Sequence, residues 1–199
     1  MKFLQYLFIS LSHKILKLLP YTSIRILSVP IGTLYFLLTF RSSIKLFRRK
    51  EIFNELKINY KPLIVKINYT RYWLETLWLT NKNFSKYISP HVEIENLEYV
   101  EKLKKQYPGL IFALPHLGNW EFAIPIGNSI KLNLLAVAEP LNNSYVLNWF
   151  KSLRESLGIE IIIGGKGQNT FDLLVNKLKS GKDICLSLIH ISEPTRQSL

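Results

Sequence analysis

Two side chains in the stretch Gly109 to Ile126, GLIFALPHLGNWEFAIPI, have the types and spacing to do chemistry: His116 and Glu121. A neutral imidazole takes a proton from a hydroxyl. A carboxylate on its other ring nitrogen fixes the tautomer and stabilises the imidazolium that forms. Positions five apart on one continuous helix do not face each other, but across a strand-to-helix turn they can meet. The flanking residues predict such a turn. Leu110 to Leu114 is an uncharged apolar run that reads as a strand buried on both faces, although a run this short also fits a buried helix. Pro115 stops it, Gly118 frees the turn, Asn119 is a good N-cap, and Glu121 falls in the first turn, where an acid is favoured. At the carboxyl edge of an open α/β sheet, this is where ligands bind. A bland reading fits the same residues: a histidine capping a turn and an acid complementing a helix dipole.

The elements that must position this pair alternate from about residue 92. Val92 to Ile94 reads as a short strand. Leu97 to Gln106, with apolar residues at 97, 100 and 103, reads as a helix stopped by Pro108 and Gly109. After Glu121, Pro125 predicts a short or kinked helix. Leu134 to Val137 is a second strand, and Glu139-Pro140 opens a loop. Tyr145 to Leu157 is a helix ending at Gly158, followed by a third strand over Ile159 to Ile163. Gly164, Gly165 and Gly167 lack the Gly-Lys-Ser/Thr ending of a phosphate-binding loop. A helix over Phe171 to Lys179 and a strand over Ile184 to Leu186 complete the alternation. The pattern predicts an α/β fold with a mainly parallel sheet flanked by helices, preceded by a helical, membrane-associated N-terminal region.

Charge divides the chain. Ten basic residues face two acidic ones up to residue 60, five face one over residues 61–90, and the remainder is neutral, for a net +12. A basic half suits nucleic acid or an anionic membrane, and its interleaving with apolar runs favours the membrane. Met1 to Ser12 is apolar but too short to span a bilayer. Ile26 to Phe40 is uncharged over fifteen residues, short of the ~20 needed unless it extends over Arg25 with a snorkelling side chain. Arg41, Lys45, Arg48, Arg49 and Lys50 follow at once, as at the cytoplasmic end of a helix. An interfacial segment fits equally well. Arg41 to Lys57 reads as a basic helix and Leu63 to Thr80 as one rich in aromatics. The expected divisions are therefore 1–40 as anchor, 41–90 as a basic and aromatic helical region, and 91–186 as the α/β core. One cysteine, Cys185, leaves no internal disulfide, and with no cysteine cluster or close histidine pair no metal is implied.

The stretch PHLGNWE resembles the catalytic motif of the bacterial glycolipid acyltransferases, a histidine, four residues, then Asp or Glu with Gly-Asn-Trp between. That family comprises the late acyltransferases of lipid A biosynthesis and the phosphatidylinositol mannoside acyltransferases. RYWLE at Arg71 to Glu75, VAEPL at Val137 to Leu141 and LRESLGIEI at Leu153 to Ile161 look more like the mannoside branch. The resemblance runs from about Leu18 to Leu186. It implies transfer of a fatty acyl group from a thioester, acyl-CoA or acyl carrier protein, to a sugar hydroxyl of a membrane glycolipid, a phosphatidylinositol mannoside or a lipid A precursor. It implies no bound cofactor, no nucleic-acid partner, and a place on the cytoplasmic face of the bacterial inner membrane. His116 would be the general base and Glu121 its orienter, meeting at the mouth of a cleft. Arg154, Asn119 and Glu139 would contact substrate. Read without the resemblance, Arg154 equally fits a cation complementing a helix C-terminus.

Two other classes are weaker. An intact His116 and Glu121 argue against a membrane scaffold without chemistry, and the apolar N-terminus argues against a nucleic-acid-binding protein. The chain's last stretch, LSLIHISEPTR from Leu186 to Arg196, looks like a translated sequencing-library adapter. Residues 187–199 are therefore expected to be non-native and poorly packed, with His190 and Glu193 irrelevant to function and the natural protein longer.

Overall fold

The computed structural model describes residues 1–40, 61–115, 117–164 and 169–187. The expected basic helix over 41–57, Gly165, Gly167 and the tail from residue 188 lie outside the described residues, as does His116. The chain forms two compact units, Ser12–Leu79, and Met1–Leu11 together with Thr80–Leu199.

In the first unit α2 (Tyr21–Leu38) packs along α3 (Pro62–Trp78). The face α2 buries is a stripe at i, i+4 and i+8: Ile24, Ser28 and Gly32. The stripe narrows to glycine for a reason. A Cβ on Gly32 would lie 2.6 Å from the Ile67 Cα, so the two backbones touch where only glycine fits. Hydrogen bonds fix the register. The Tyr21 hydroxyl donates to Glu75 Oε1 at 2.8 Å, and Trp78 Nε1 donates to the Leu19 carbonyl at 2.8 Å. The opposite face of α2 leaves Ile26, Val29, Leu34, Leu37 and Leu38 exposed. By length and composition alone this helix is long and apolar enough to cross a membrane. It starts at Tyr21, so it includes Arg25 and is longer than the uncharged run.

Helix α1 (Lys2–Leu16) exposes Phe3, Leu4, Leu7, Phe8, Leu11 and Ile15, a stripe at helical spacing, and contains no acid. Its start is tied into the α/β unit. Asn143 Nδ2 donates to the Lys2 carbonyl and to Gln5 Oε1, each at 2.9 Å, and Phe3 meets the Tyr145 ring edge-on. Farther along, the His13 ring hydrogen-bonds the Leu77 carbonyl within the helical unit. The apolar first forty residues are thus built into both units.

The α/β unit contains α4 (Leu97–Gln106), β1 (Ile111–Leu114), a 3-10 turn at Trp120–Phe122, α5 (Ala123–Ser129), β2 (Leu134–Ala138), α6 (Ser144–Leu157), β3 (Glu160–Ile163), α7 (Thr170–Lys179) and β4 (Asp183–Ser187). The strands form a parallel sheet in the order β1-β4-β2-β3. The expected α/β fold with its parallel sheet is what the chain adopts. Helix α6 ends where a glycine predicted it, at Gly158 with φ +103. Pro125 is the third residue of α5, a first-turn position where its missing N–H costs no bond. Two expectations fail. Val92–Ile94 forms no strand: three residues between a 3-10 turn and α4 have no neighbour to pair with. β1 is not buried on both faces. Among the described residues it pairs with β4 alone, at the end of the strand order, and Ile111 is 57% exposed.

The amino edge of the sheet is closed by one carboxylate. Asp183, 0% exposed, receives Lys104 Nζ at 2.8 Å, the Leu110 N–H at 3.0 Å and the Asn133 N–H at 2.8 Å. It thereby joins the residues entering β1 and β2 to α4 and β4. Burial, and next the Asp183 charge, push the Cys185 thiol up to about 11. The thiol stays protonated at neutral pH and is no candidate nucleophile. Asp183→Ala should cost roughly 3–5 kcal/mol, the range for breaking a buried ion pair, because Lys104 and two backbone donors lose their acceptor together. Urea denaturation would measure it. A loss below about 1 kcal/mol would show that the clamp is dispensable.

Candidate active site

Because the strands are parallel, the segments after β1, β2 and β3 all leave from the same carboxyl edge. Pro115 to Asn119 joins β1 to the 3-10 turn. Gly118 in this segment has φ +61, a left-handed conformation that a side chain would strain. Asn119 then caps the turn as expected: its Oδ1 accepts the Glu121 N–H at 3.1 Å. The cap directs Glu121 inward, where it is 1% exposed.

An ionised carboxylate at that depth needs a cation or several donors. Arg154 supplies them. Its Nη2 donates to Glu121 Oε1 at 2.7 Å, and its Nε lies 3.2 Å from Oε2 and 3.3 Å from Oε1. This is a side-on fork, the geometry in which an arginine–carboxylate pair is strongest. Its origin is in α6. Helical side chains lean toward the helix N-terminus, and α6 starts just after the carboxyl end of β2. Arg154, one turn from the end of α6, therefore runs back past Phe150, whose ring centroid is 5.7 Å from the guanidinium carbon. Trp120 lies on the same guanidinium at 4.8 Å.

The five residues singled out from sequence are thus placed unequally. Glu121 and Arg154 come together across 33 positions of sequence. Asn119 is adjacent, with its side-chain oxygen engaged by the cap. Glu139 is exposed in the loop leaving β2, on the same carboxyl edge. His116 lies outside the described residues, so its expected approach to Glu121 does too. Arg154 aims at Glu121, a partner that neither of its two sequence-based readings named. Spacing carries no signal for such a contact. Trp120 was also missed as part of the site, although it sits inside the motif.

A family profile described as bacterial lipid A biosynthesis acyltransferase matches residues 2–188. The chain belongs to this family. Among curated proteins it is similar to the phosphatidylinositol mannoside acyltransferase of Mycobacterium tuberculosis (strain CDC 1551 / Oshkosh), 30% identical over 122 residues, 60% of this chain and 38% of that protein. It is likewise similar to the phosphatidylinositol mannoside acyltransferase of Mycolicibacterium smegmatis, 28% identical over 123 residues, 60% of this chain and 39% of that protein. The matched part therefore spans less than half the length of these relatives. In this acyltransferase family member, the buried ion pair sits where the sequence motif meets the carboxyl edge of the sheet.

Removing the cation should be worse than removing both charges. Arg154→Met leaves Glu121 buried and unpaired and should cost about 3 kcal/mol or more, whereas the double change with Glu121→Gln should recover at least half of that loss. Thermal or urea unfolding of both variants tests it. Equal losses would mean that leaving the Glu121 carboxylate without its arginine costs nothing.

Proposed function

We propose that the protein is an acyltransferase that moves a fatty acyl group from a thioester donor, acyl-CoA or acyl carrier protein, to a sugar hydroxyl of a membrane glycolipid. The acceptor is a phosphatidylinositol mannoside or a lipid A precursor. The observation that carries this reading is the Glu121 carboxylate, buried and held by Arg154 five residues beyond His116, at the carboxyl edge of a parallel sheet. Family membership supports the acyl transfer, and the named relatives support the mannoside acceptor.

In this reading His116 is the general base. It takes the proton of the acceptor hydroxyl as the oxygen attacks the thioester carbonyl. Glu121 holds the imidazole in one tautomer and stabilises the imidazolium. Collapse of the tetrahedral intermediate breaks the C–S bond, and the imidazolium returns its proton to the departing thiolate. The products are an ester and a free thiol. Arg154 keeps Glu121 in place and presents its remaining N–H groups to an anionic part of donor or acceptor. Asn119 shapes the turn beside the acceptor, and Glu139, exposed on the same edge, contacts the sugar.

The acceptor is a lipid, so the carboxyl edge faces the cytoplasmic surface of the inner membrane. Leu117, Leu141 and Phe171, one in each segment after β1 and β2 and at the start of α7, are exposed. The bare apolar stripe of α1, with Lys2, Lys14 and Lys17 and no acid, suits an anionic interface.

Two measurements test this. His116→Ala should lower thiol release from an acyl-thioester in the presence of glycolipid by at least the 10²–10⁴-fold typical of a lost general base, roughly, with folding unchanged. Glu121→Gln should be less severe. Near-normal turnover by His116→Ala would end the catalytic reading. Separately, Leu4→Glu with Phe8→Glu should weaken retention on anionic vesicles by about tenfold or more, since each buried apolar side chain contributes ~1.5–3 kcal/mol. Unchanged flotation would remove α1 from the membrane surface.

A further inference from the structure

Trp120 is the one residue of the PHLGNWE motif whose chemistry remains unused. Its neighbour Glu121 holds the guanidinium of Arg154 by the edge, through Nε and Nη2. Trp120 itself sets its indole ring under the same guanidinium, with the ring centroid 4.8 Å from the guanidinium carbon. Consecutive residues of one 3-10 turn therefore hold a single group, one by hydrogen bonds and one by its ring. The edge contact fixes where the guanidinium donates. The ring contact limits how the guanidinium can swing, which a long, flexible side chain anchored a turn from the end of α6 cannot do alone. Phe150, at 5.7 Å, adds a second, looser ring.

We propose that Trp120 is a positioning residue for the acyl transfer: its indole face holds the Arg154 guanidinium in the plane that keeps the Glu121 carboxylate oriented. This rests on the proposed role of Glu121. Trp120 acts through Arg154, and what it supplies is a π face rather than bulk.

The experiment compares Trp120→Phe, Trp120→Leu and Trp120→Ala in the full-length protein, measuring kcat and KM for thiol release alongside thermal unfolding. Trp120→Phe should stay within about threefold of the parent kcat, since an aromatic face remains. Trp120→Leu, with side-chain bulk but no face, and Trp120→Ala should both lose roughly tenfold in kcat with KM within about twofold, the signature of a loss felt after binding. In an Arg154→Met background the Trp120→Leu change should have no further effect on kcat, because its target is gone. Leucine restoring the rate as fully as phenylalanine, additive losses in the Arg154→Met background, or a rate that follows unfolding temperature alone would each overturn the proposal. Failure of the acyltransferase reading is visible separately, as normal turnover by His116→Ala.

Discussion

The α/β unit depends on keeping two carboxylates out of water while leaving neither without donors. Burying an isolated carboxylate is costly enough that the group gives up its charge or the fold gives way. Asp183 and Glu121 both escape this, at opposite edges of the sheet and by different means. Asp183 is satisfied mostly by the backbone, from residues at the starts of β1 and β2, with Lys104 adding the charge. Backbone donors cannot swing away, so this carboxylate sets the strand starts and hence the register in which the carboxyl ends emerge. Glu121 is satisfied by a side chain from a distant helix. Its fixation is only as good as the fixation of Arg154.

That contrast accounts for the division of labour between the edges. The amino edge carries a second ion cluster, Lys177 and Lys182 on Glu160 at 2.7 and 2.8 Å. The lysine hydrogen bonds, first that of Lys177, hold the Glu160 carboxyl below its ordinary range. The stabilisation this supplies is present above the unfolded pKa and lost as pH falls through the folded one. It is a half-exposed pair and contributes little. The carboxyl edge instead carries a cap, a left-handed glycine and a long-range ion pair, features that specify geometry more than stability.

How much of this the sequence disclosed follows from the range of each interaction. Local features were legible. The Asn119 cap, the Gly158 stop of α6, the bounds of α4 and the parallel α/β pattern depend on residues a few positions apart. Neighbour-dependent features were not. The apolar run of β1 reads as a strand buried on both faces, because side chains do not record that, among the described residues, β4 alone pairs with it. Val92 to Ile94 has strand-like residues and no strand partner among the described residues. Nothing in the composition of the N-terminal forty residues announces Asn143 bonding to Lys2 and Gln5 or α3 covering one face of α2. Asp183 was passed over entirely, since a lone acid before a strand carries no mark of its three donors.

The site shows the same limit more sharply. His116 and Glu121 are five apart and could be weighed as a pair from their spacing, whereas Glu121 and Arg154 are 33 positions apart and are joined by residues whose only function in this respect is to fold. What the fold adds is the direction of approach. Helix α6 departs from the carboxyl end of β2 and returns toward the amino edge, so a side chain on its last turn must reach backward to arrive at the site. Only a long side chain spans that distance, and only a planar fork meets a carboxylate with two donors when it arrives. Lysine would reach as a point charge without an orientation to impart. An arginine at position 154 thus follows from strand order, helix direction and carboxylate geometry together, and the aromatic faces of Trp120 and Phe150 on its guanidinium are what a group reaching so far requires to arrive in one conformation.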